Sequence, residues 1–164
     1  MTKILLVDDS KFLRLATERA LARAGYDVSS ATDGEQALEM ARDMHPDLIL
    51  LDMLLPKLPG PEVLKALKKN PRTADIPVVV FTGLSHKNAP RLQHDGAFGY
   101  LEKSELGLEK GCESLLAAVA GIIQQIPVKK PAIPQETPKK VSTERESGGR
   151  NPKNALAARQ ASRR

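Results

Sequence analysis

A chain of 164 residues, with 25 basic and 20 acidic side chains, has room for one domain of ordinary size and is tight for two. One cysteine (Cys112), three scattered histidines and no apolar run near the ~20 residues of a bilayer span exclude an internal disulfide, a Cys/His zinc site and a transmembrane segment. The net charge of +5 hides an asymmetry, because residues 1–126 carry 15 basic and 17 acidic groups and residues 127–164 carry 10 and 3.

The first apolar run, Lys3–Val7, is too short for a signal-peptide apolar region and is followed directly by Asp8 and Asp9, so it is predicted as a buried strand. Residues 11–24 have helical spacing, with Leu13, Ala16, Ala20 and Ala24 near one face and Arg14, Glu18 and Arg23 mostly elsewhere. Asp27–Ala31 is a second strand. A helix over 35–44 carries Leu38, Ala41 and Met44 and ends before Pro46. Leu48–Leu51 is wholly apolar and closes on Asp52, and Pro61 then opens a helix over 62–69 that carries Val63, Leu64 and Leu67. Residues 78–81 form a fourth strand before Thr82. The stretch 82–96 is the poorest, with only Leu84, Ala89 and Leu92 aliphatic, and it predicts a short helix after Pro90 or a mobile loop. A weak strand over 99–101 precedes Lys103. Leu108, Cys112, Leu115, Leu116, Val119, Ile122, Ile123 and Ile126 then trace one helical stripe, which Pro127 ends.

Strands that are nearly all apolar are covered on both faces, and strand–helix alternation with short connections implies right-handed crossovers and a parallel sheet. The fold class is therefore three-layer α/β, with its crevice at the carboxyl ends of the strands. Strand one closes on Asp8 and Asp9, strand three on Asp52 and strand four on Thr82, and Lys103 follows strand five. Three neighbouring carboxylates repel one another unless a cation or a proton relieves them. Mg²⁺ suits one or two carboxylates, a backbone carbonyl and waters. Lys103 and Thr82 suit a phosphoryl group, and a carboxylate activated beside a metal can itself be the nucleophile, giving an aspartyl phosphate. Taken singly, Asp8-Asp9-Ser10 also reads as a helix cap, Thr82 as turn chemistry and Lys103 as a surface lysine. Together, four strand ends with this chemistry favour a site.

The same residues carry a resemblance. Ile4-Leu5-Leu6-Val7-Asp8-Asp9-Ser10, Leu50-Leu51-Asp52-Met53 with Pro56 and Gly60, Val79-Val80-Phe81-Thr82-Gly83 and Gly96-Ala97-Phe98-Gly99-Tyr100-Leu101-Glu102-Lys103 resemble the CheY-like receiver domain of bacterial two-component response regulators, over residues 1–126. The resemblance implies a doubly wound, flavodoxin-like sheet of five parallel strands in the order 2-1-3-4-5 with five flanking helices. It also implies Asp52 as phospho-acceptor, with Asp8, Asp9, Asp52 and the backbone carbonyl of Met53 as ligands of Mg²⁺. Thr82 and Tyr100 would be the switch pair, and Lys103 the phosphate-sensing cation. The added phosphate charge would bias a two-state surface that a partner reads. Two features depart from the family pattern: Ser104 follows Lys103 where proline is usual, and the fourth helix, normally part of the output face, is poor. Leu54 and Leu84, two residues beyond the acceptor and the switch threonine, would flank the phosphoryl group. Neither can hold a hydrolytic water, so slow self-hydrolysis is expected.

Residues 127–164 hold five of the twelve prolines and none of the five aromatic residues, and they are predicted as a disordered basic tail with no second folded domain. Lys129-Lys130 and Lys139-Lys140 alternate with prolines as in a semi-rigid solvated linker, and residues 155–164 have the composition for a short basic helix but are of marginal length for one standing alone. A plain solvated tail is favoured over a weak nonspecific polyanion or membrane-surface contact, and no aromatic residue is present there to stack RNA bases. Three functions follow. A cytoplasmic signalling receiver would be phosphorylated on Asp52 by a histidine kinase or phosphotransfer protein and read by an unidentified protein partner. It would be no enzyme beyond its own phosphotransfer and slow autodephosphorylation. A phosphorylation-independent adaptor with a polyanion-binding tail is the alternative, and an aspartate-nucleophile phosphatase the third. The complete acceptor set favours the first; the third lacks an acid/base partner beside Asp52 and a cap domain.

Overall fold

A computed structural model describes residues 1–106 and 112–127. β1 (Lys3–Val7), β3 (Leu48–Leu51) and β4 (Val78–Thr82) are buried throughout, apart from Lys3, as Leu/Ile/Val runs covered on both faces must be. β2 (Asp27–Ala31) and β5 (Gly99–Glu102) are only half covered and lie at the two edges. All pairings are parallel, in the order β2-β1-β3-β4-β5. Register matches Val7 with Leu51, and Leu51 with Val80, so the strands finish level with one another.

Side chains alternate across the sheet and feed two cores. Ile4, Leu6, Leu48, Leu50, Val79 and Phe81 point to one face, where Leu21 of α1 (Lys11–Arg23) and Leu115 and Val119 of α5 (Glu113–Gln125) cover them. Leu5, Val7, Ile49, Leu51, Val78 and Val80 point to the other, under α2 (Gly34–Met44), α3 (Gly60–Lys69) and α4 (Ala89–His94). The layers are thus two helices, a sheet and three helices. No helix among the described residues is long and apolar enough to cross a membrane.

Two local expectations are corrected, and for the stretch after β4 the short helix is found in place of the loop. The buried face of α1 runs through Thr17 and Leu21, with Leu13, Ala16 and Ala20 only half-buried and Ala24 exposed. Alanines carry too little apolar area to set a helix's rotation, and Leu21 sets it instead. The poor stretch after β4 is ordered: a single 3-10 turn, His86–Asn88, leads into α4, which starts at Ala89 with Pro90 in its first turn. Proline is tolerated there because the first helical N–H groups lack partners in any case. The last helix starts at Glu113, after Cys112 in a left-handed conformation (φ 62°). Leu108 lies outside the described residues, as does the proposed disordered tail beyond Pro127 with its lysine pairs and basic end.

One glycine ties α3 to the sheet edge. A Cβ on Gly60 would meet the Asp52 carbonyl oxygen and stand 2.5 Å from Met53 Cα, so only glycine lets the helix start this close to the end of β3.

Candidate functional site

The level strand ends bring Asp8, Asp9, Asp52, Thr82 and Lys103 to one edge. Asp8 follows β1, and its carboxylate is fully buried. Its Oδ1 accepts the Ser10 amide at 2.9 Å and its Oδ2 accepts Lys103 Nζ at 2.7 Å. Ser10 stands at the start of α1 and its side chain caps nothing; the Asp8 carboxylate instead accepts the amide there. Asp52 is buried at the end of β3, where its amide donates to the Val7 carbonyl at 3.0 Å. Its Oδ1 accepts the Leu54 amide at 3.2 Å and its Oδ2 accepts Lys103 Nζ at 2.9 Å. Asp9 is exposed at the rim, and carboxylate oxygens of all three aspartates lie within 4.8 Å of one another.

Lys103 is held by its own backbone, its amide donating to the Thr82 carbonyl at 2.8 Å, and its Nζ lies 5.2 Å from the Phe81 ring centroid. Burial works to lower the pKa of the ammonium, but hydrogen bonds and charge from Asp8 and Asp52 outweigh it and raise the pKa above the usual lysine value. Ser104 does not disturb this placement: its hydroxyl donates to Glu102 Oε1 at 2.7 Å, and Lys103 still reaches both carboxylates.

Thr82 and Tyr100 take hold of the same residue from two sides. Thr82, fully buried, accepts the Leu84 amide on Oγ1 at 3.4 Å, while the Tyr100 hydroxyl donates to the Leu84 carbonyl at 2.6 Å. The Ser85 carbonyl is also within reach, at 3.1 Å. Burial, aided by the nearby Glu102 carboxylate, raises the pKa of the tyrosine hydroxyl.

The donor set fits a small hard cation. Three carboxylates and one ammonium leave two negative charges, which a divalent ion balances, and all the side-chain donors to it are oxygens. The Met53 carbonyl, expected to join them, accepts the Gly60 amide at 3.1 Å and keeps a second lone pair for a cation. Sequence reasoning missed Arg14, whose Nη1 reaches back from α1 to the Asp8 carbonyl at 3.0 Å. Its position on the polar side of the predicted helix carried no signal of that contact. It also missed the double grip on Leu84, which is made by backbone atoms.

A doubly wound parallel sheet with an acidic pocket at its carboxyl edge, crossed by a lysine, defines a CheY-like flavodoxin fold. The chain belongs to the response regulator receiver domain family, whose sequence profile matches residues 4–112. It is 44% identical over 109 residues to the gliding motility regulatory protein of Myxococcus xanthus, covering 65% of this chain and 14% of that one. To the DNA-binding dual master transcriptional regulator RpaA of Synechocystis it is 36% identical over 126 residues, covering 76% and 50%. The chain therefore spans half or less of the length of these curated relatives. The solved structure of the Vibrio cholerae chemotaxis protein CheY4 superposes with a TM-score of 0.65 at 30% identity, covering 77% of this chain and 99% of that one.

Proposed function

We propose that the protein is a phospho-accepting signalling receiver, with Asp52 taking a phosphoryl group from the phosphohistidine of a histidine kinase or phosphotransfer protein. The observation that carries this reading is the setting of Asp52: buried, 2.9 Å from a lysine ammonium and grouped with two further carboxylates. An Asp52 carboxylate oxygen attacks phosphorus, an O–P bond forms as the donor's N–P bond breaks, and the electron pair returns to the imidazole nitrogen. Asp8, Asp9 and Asp52 would hold Mg²⁺, whose charge offsets that of the entering phosphoryl oxygens. Lys103, already poised between Asp8 and Asp52, exchanges a carboxylate contact for a phosphoryl oxygen.

Thr82 carries the signal outward. When its hydroxyl donates to the phosphoryl group, its hold on the Leu84 amide changes, and Leu84 is also where Tyr100 is anchored. The change biases the surface formed by the segment after β4 and by β5, which a partner protein reads. On this reading the protein works in the cytoplasm and is no enzyme beyond accepting and slowly losing its own phosphate.

Incubation with acetyl phosphate and Mg²⁺, followed by intact-mass spectrometry, tests the reading. Wild type should gain the mass of one phosphoryl group, and Asp52→Asn should not. Equal labelling of both proteins would defeat the assignment.

A further inference from the structure

A second group of metal-binding side chains lies outside the aspartate pocket. His86 opens the 3-10 turn after β4, and its ring packs on Tyr100 with centroids 5.0 Å apart at 46°. Its Nε2 faces Glu105 Oε2 at 3.0 Å and Glu102 Oε2 at 3.5 Å, and donor atoms of all three residues lie within 4.8 Å of one another.

Those distances can be compared with a metal's own geometry. A tetrahedral zinc ion with bonds of about 2.0–2.2 Å holds its ligand atoms about 3.3–3.6 Å apart along each edge. The His86–Glu102 separation of 3.5 Å falls on that edge, and the His86–Glu105 separation of 3.0 Å, a hydrogen bond, need open by only a few tenths of an ångström to reach it. Glu102 is also oriented from behind, because its other oxygen, Oε1, accepts the Ser104 hydroxyl at 2.7 Å and leaves Oε2 turned to the imidazole. Such outer hydrogen bonds are what hold metal-ligating carboxylates in place. The serine that replaces the family's usual proline thus supplies a hydroxyl that a proline would lack.

We propose that His86, Glu102 and Glu105 form a second cation site, separate from the Asp8–Asp9–Asp52 pocket, which takes a borderline divalent transition ion such as Zn²⁺. One imidazole and two carboxylates, with water at the open position, suit zinc; Mg²⁺ prefers an all-oxygen octahedron. The His86 and Glu105 side chains are 49% and 62% exposed, so the ion has a path in. Once bound, it ties the turn after β4 to the segment after β5 across the face of Tyr100. Both segments adjoin Lys103 and Thr82, so occupancy would stiffen the surface that phosphorylation is proposed to move. The site itself does not depend on that proposal.

The test is calorimetric titration of the full chain with ZnCl₂ in saturating Mg²⁺, which keeps the aspartate pocket filled. Wild type should show one site in roughly the micromolar range, weakened at least about tenfold by His86→Ala or Glu105→Gln and unchanged by Asp9→Ala. In amide spectra the Zn²⁺-induced shifts should centre on residues 85–88 and 100–105. Unfolding temperatures in EDTA, expected to match for wild type and His86→Ala, confirm that the variant is folded. Zn²⁺ binding to His86→Ala as tight as to wild type, loss of binding in Asp9→Ala, or no wild-type binding below about 1 mM would each overturn the proposal.

Discussion

Lys103 reaches across 51 residues of chain to place its ammonium 2.9 Å from the Asp52 carboxylate. The same nitrogen is 2.7 Å from Asp8, and the three side chains are 11%, 7% and 0% exposed. The lysine is the counter-charge that lets two carboxylates be buried side by side. Lys103→Met should lower stability in EDTA by about 3 kcal/mol, the scale for removing one partner from a buried charge pair. Urea denaturation measures the loss, and Mg²⁺ should recover part of it by taking over the charge. A deficit that Mg²⁺ leaves untouched would remove the electrostatic explanation.

Leu54 is 60% exposed beside Asp52, and its amide donates to Asp52 Oδ1 at 3.2 Å. The residue is in position to bound the phosphoryl group but has no polar side-chain atom with which to hold a water. If Asp52 is the acceptor, wild-type phosphoaspartate should decay slowly, and Leu54→Asn should speed decay by ~10-fold or more. Leu84 packs on the core under α2, α3 and α4, so Leu84→Glu should lower the melting temperature as well. Decay followed at constant Mg²⁺ decides the matter: a fast wild type, unmoved by Leu54→Asn, would contradict it.

Gly60 admits no side chain, because a Cβ there would stand 2.5 Å from Met53 Cα and run into the Asp52 carbonyl. Gly60→Ala must push α3 off the end of β3. The expected loss is about 2 kcal/mol, in line with other overpacked sites, together with weaker Mg²⁺ binding as Asp52 moves. Thermal melts and Mg²⁺ titration report the two effects separately.

Asp33 caps α2: its Oδ1 accepts the Gln36 amide at 2.8 Å, and Lys57 Nζ lies 3.2 Å from its Oδ2. The Gln36 hydrogen bond, opposed by some burial and aided by Lys57, holds the carboxyl below its ordinary value of 3.8. A depressed folded pKa means that the contribution is present above the unfolded value and is lost as pH falls through the folded one. Asp33→Ala should therefore melt earlier than wild type at neutral pH, and the gap should narrow as pH falls below the ordinary carboxyl value of 3.8. A gap of constant size across that range would show that the charge does not matter.

The strands were legible in the sequence because burial on both faces leaves unbroken apolar runs. Lys3–Val7, Asp27–Ala31 and Leu48–Leu51 have the same bounds in sequence and structure, and β4 and β5 run one residue past the predicted 78–81 and 99–101. Once strands are parallel, the residues that end them share an edge, so the apolar runs alone group Asp8, Asp9, Asp52, Thr82 and Lys103. Their contacts were another matter. Periodicity reports how a residue is covered locally, and says nothing about which partner 51 or 95 residues away an ammonium will choose. The meeting of His86 with Glu102 and Glu105 depends on segments after two different strands that only the packed sheet brings together, whereas Arg14 on the Asp8 carbonyl and Gly60 on the Met53 carbonyl are short-range contacts that apolar periodicity does not report. The rotation of α1 shows the limit most plainly. Its alanine stripe is too small to choose a face, and the choice fell to Leu21, which had to enter the core beside Ile4, Leu6 and Leu48.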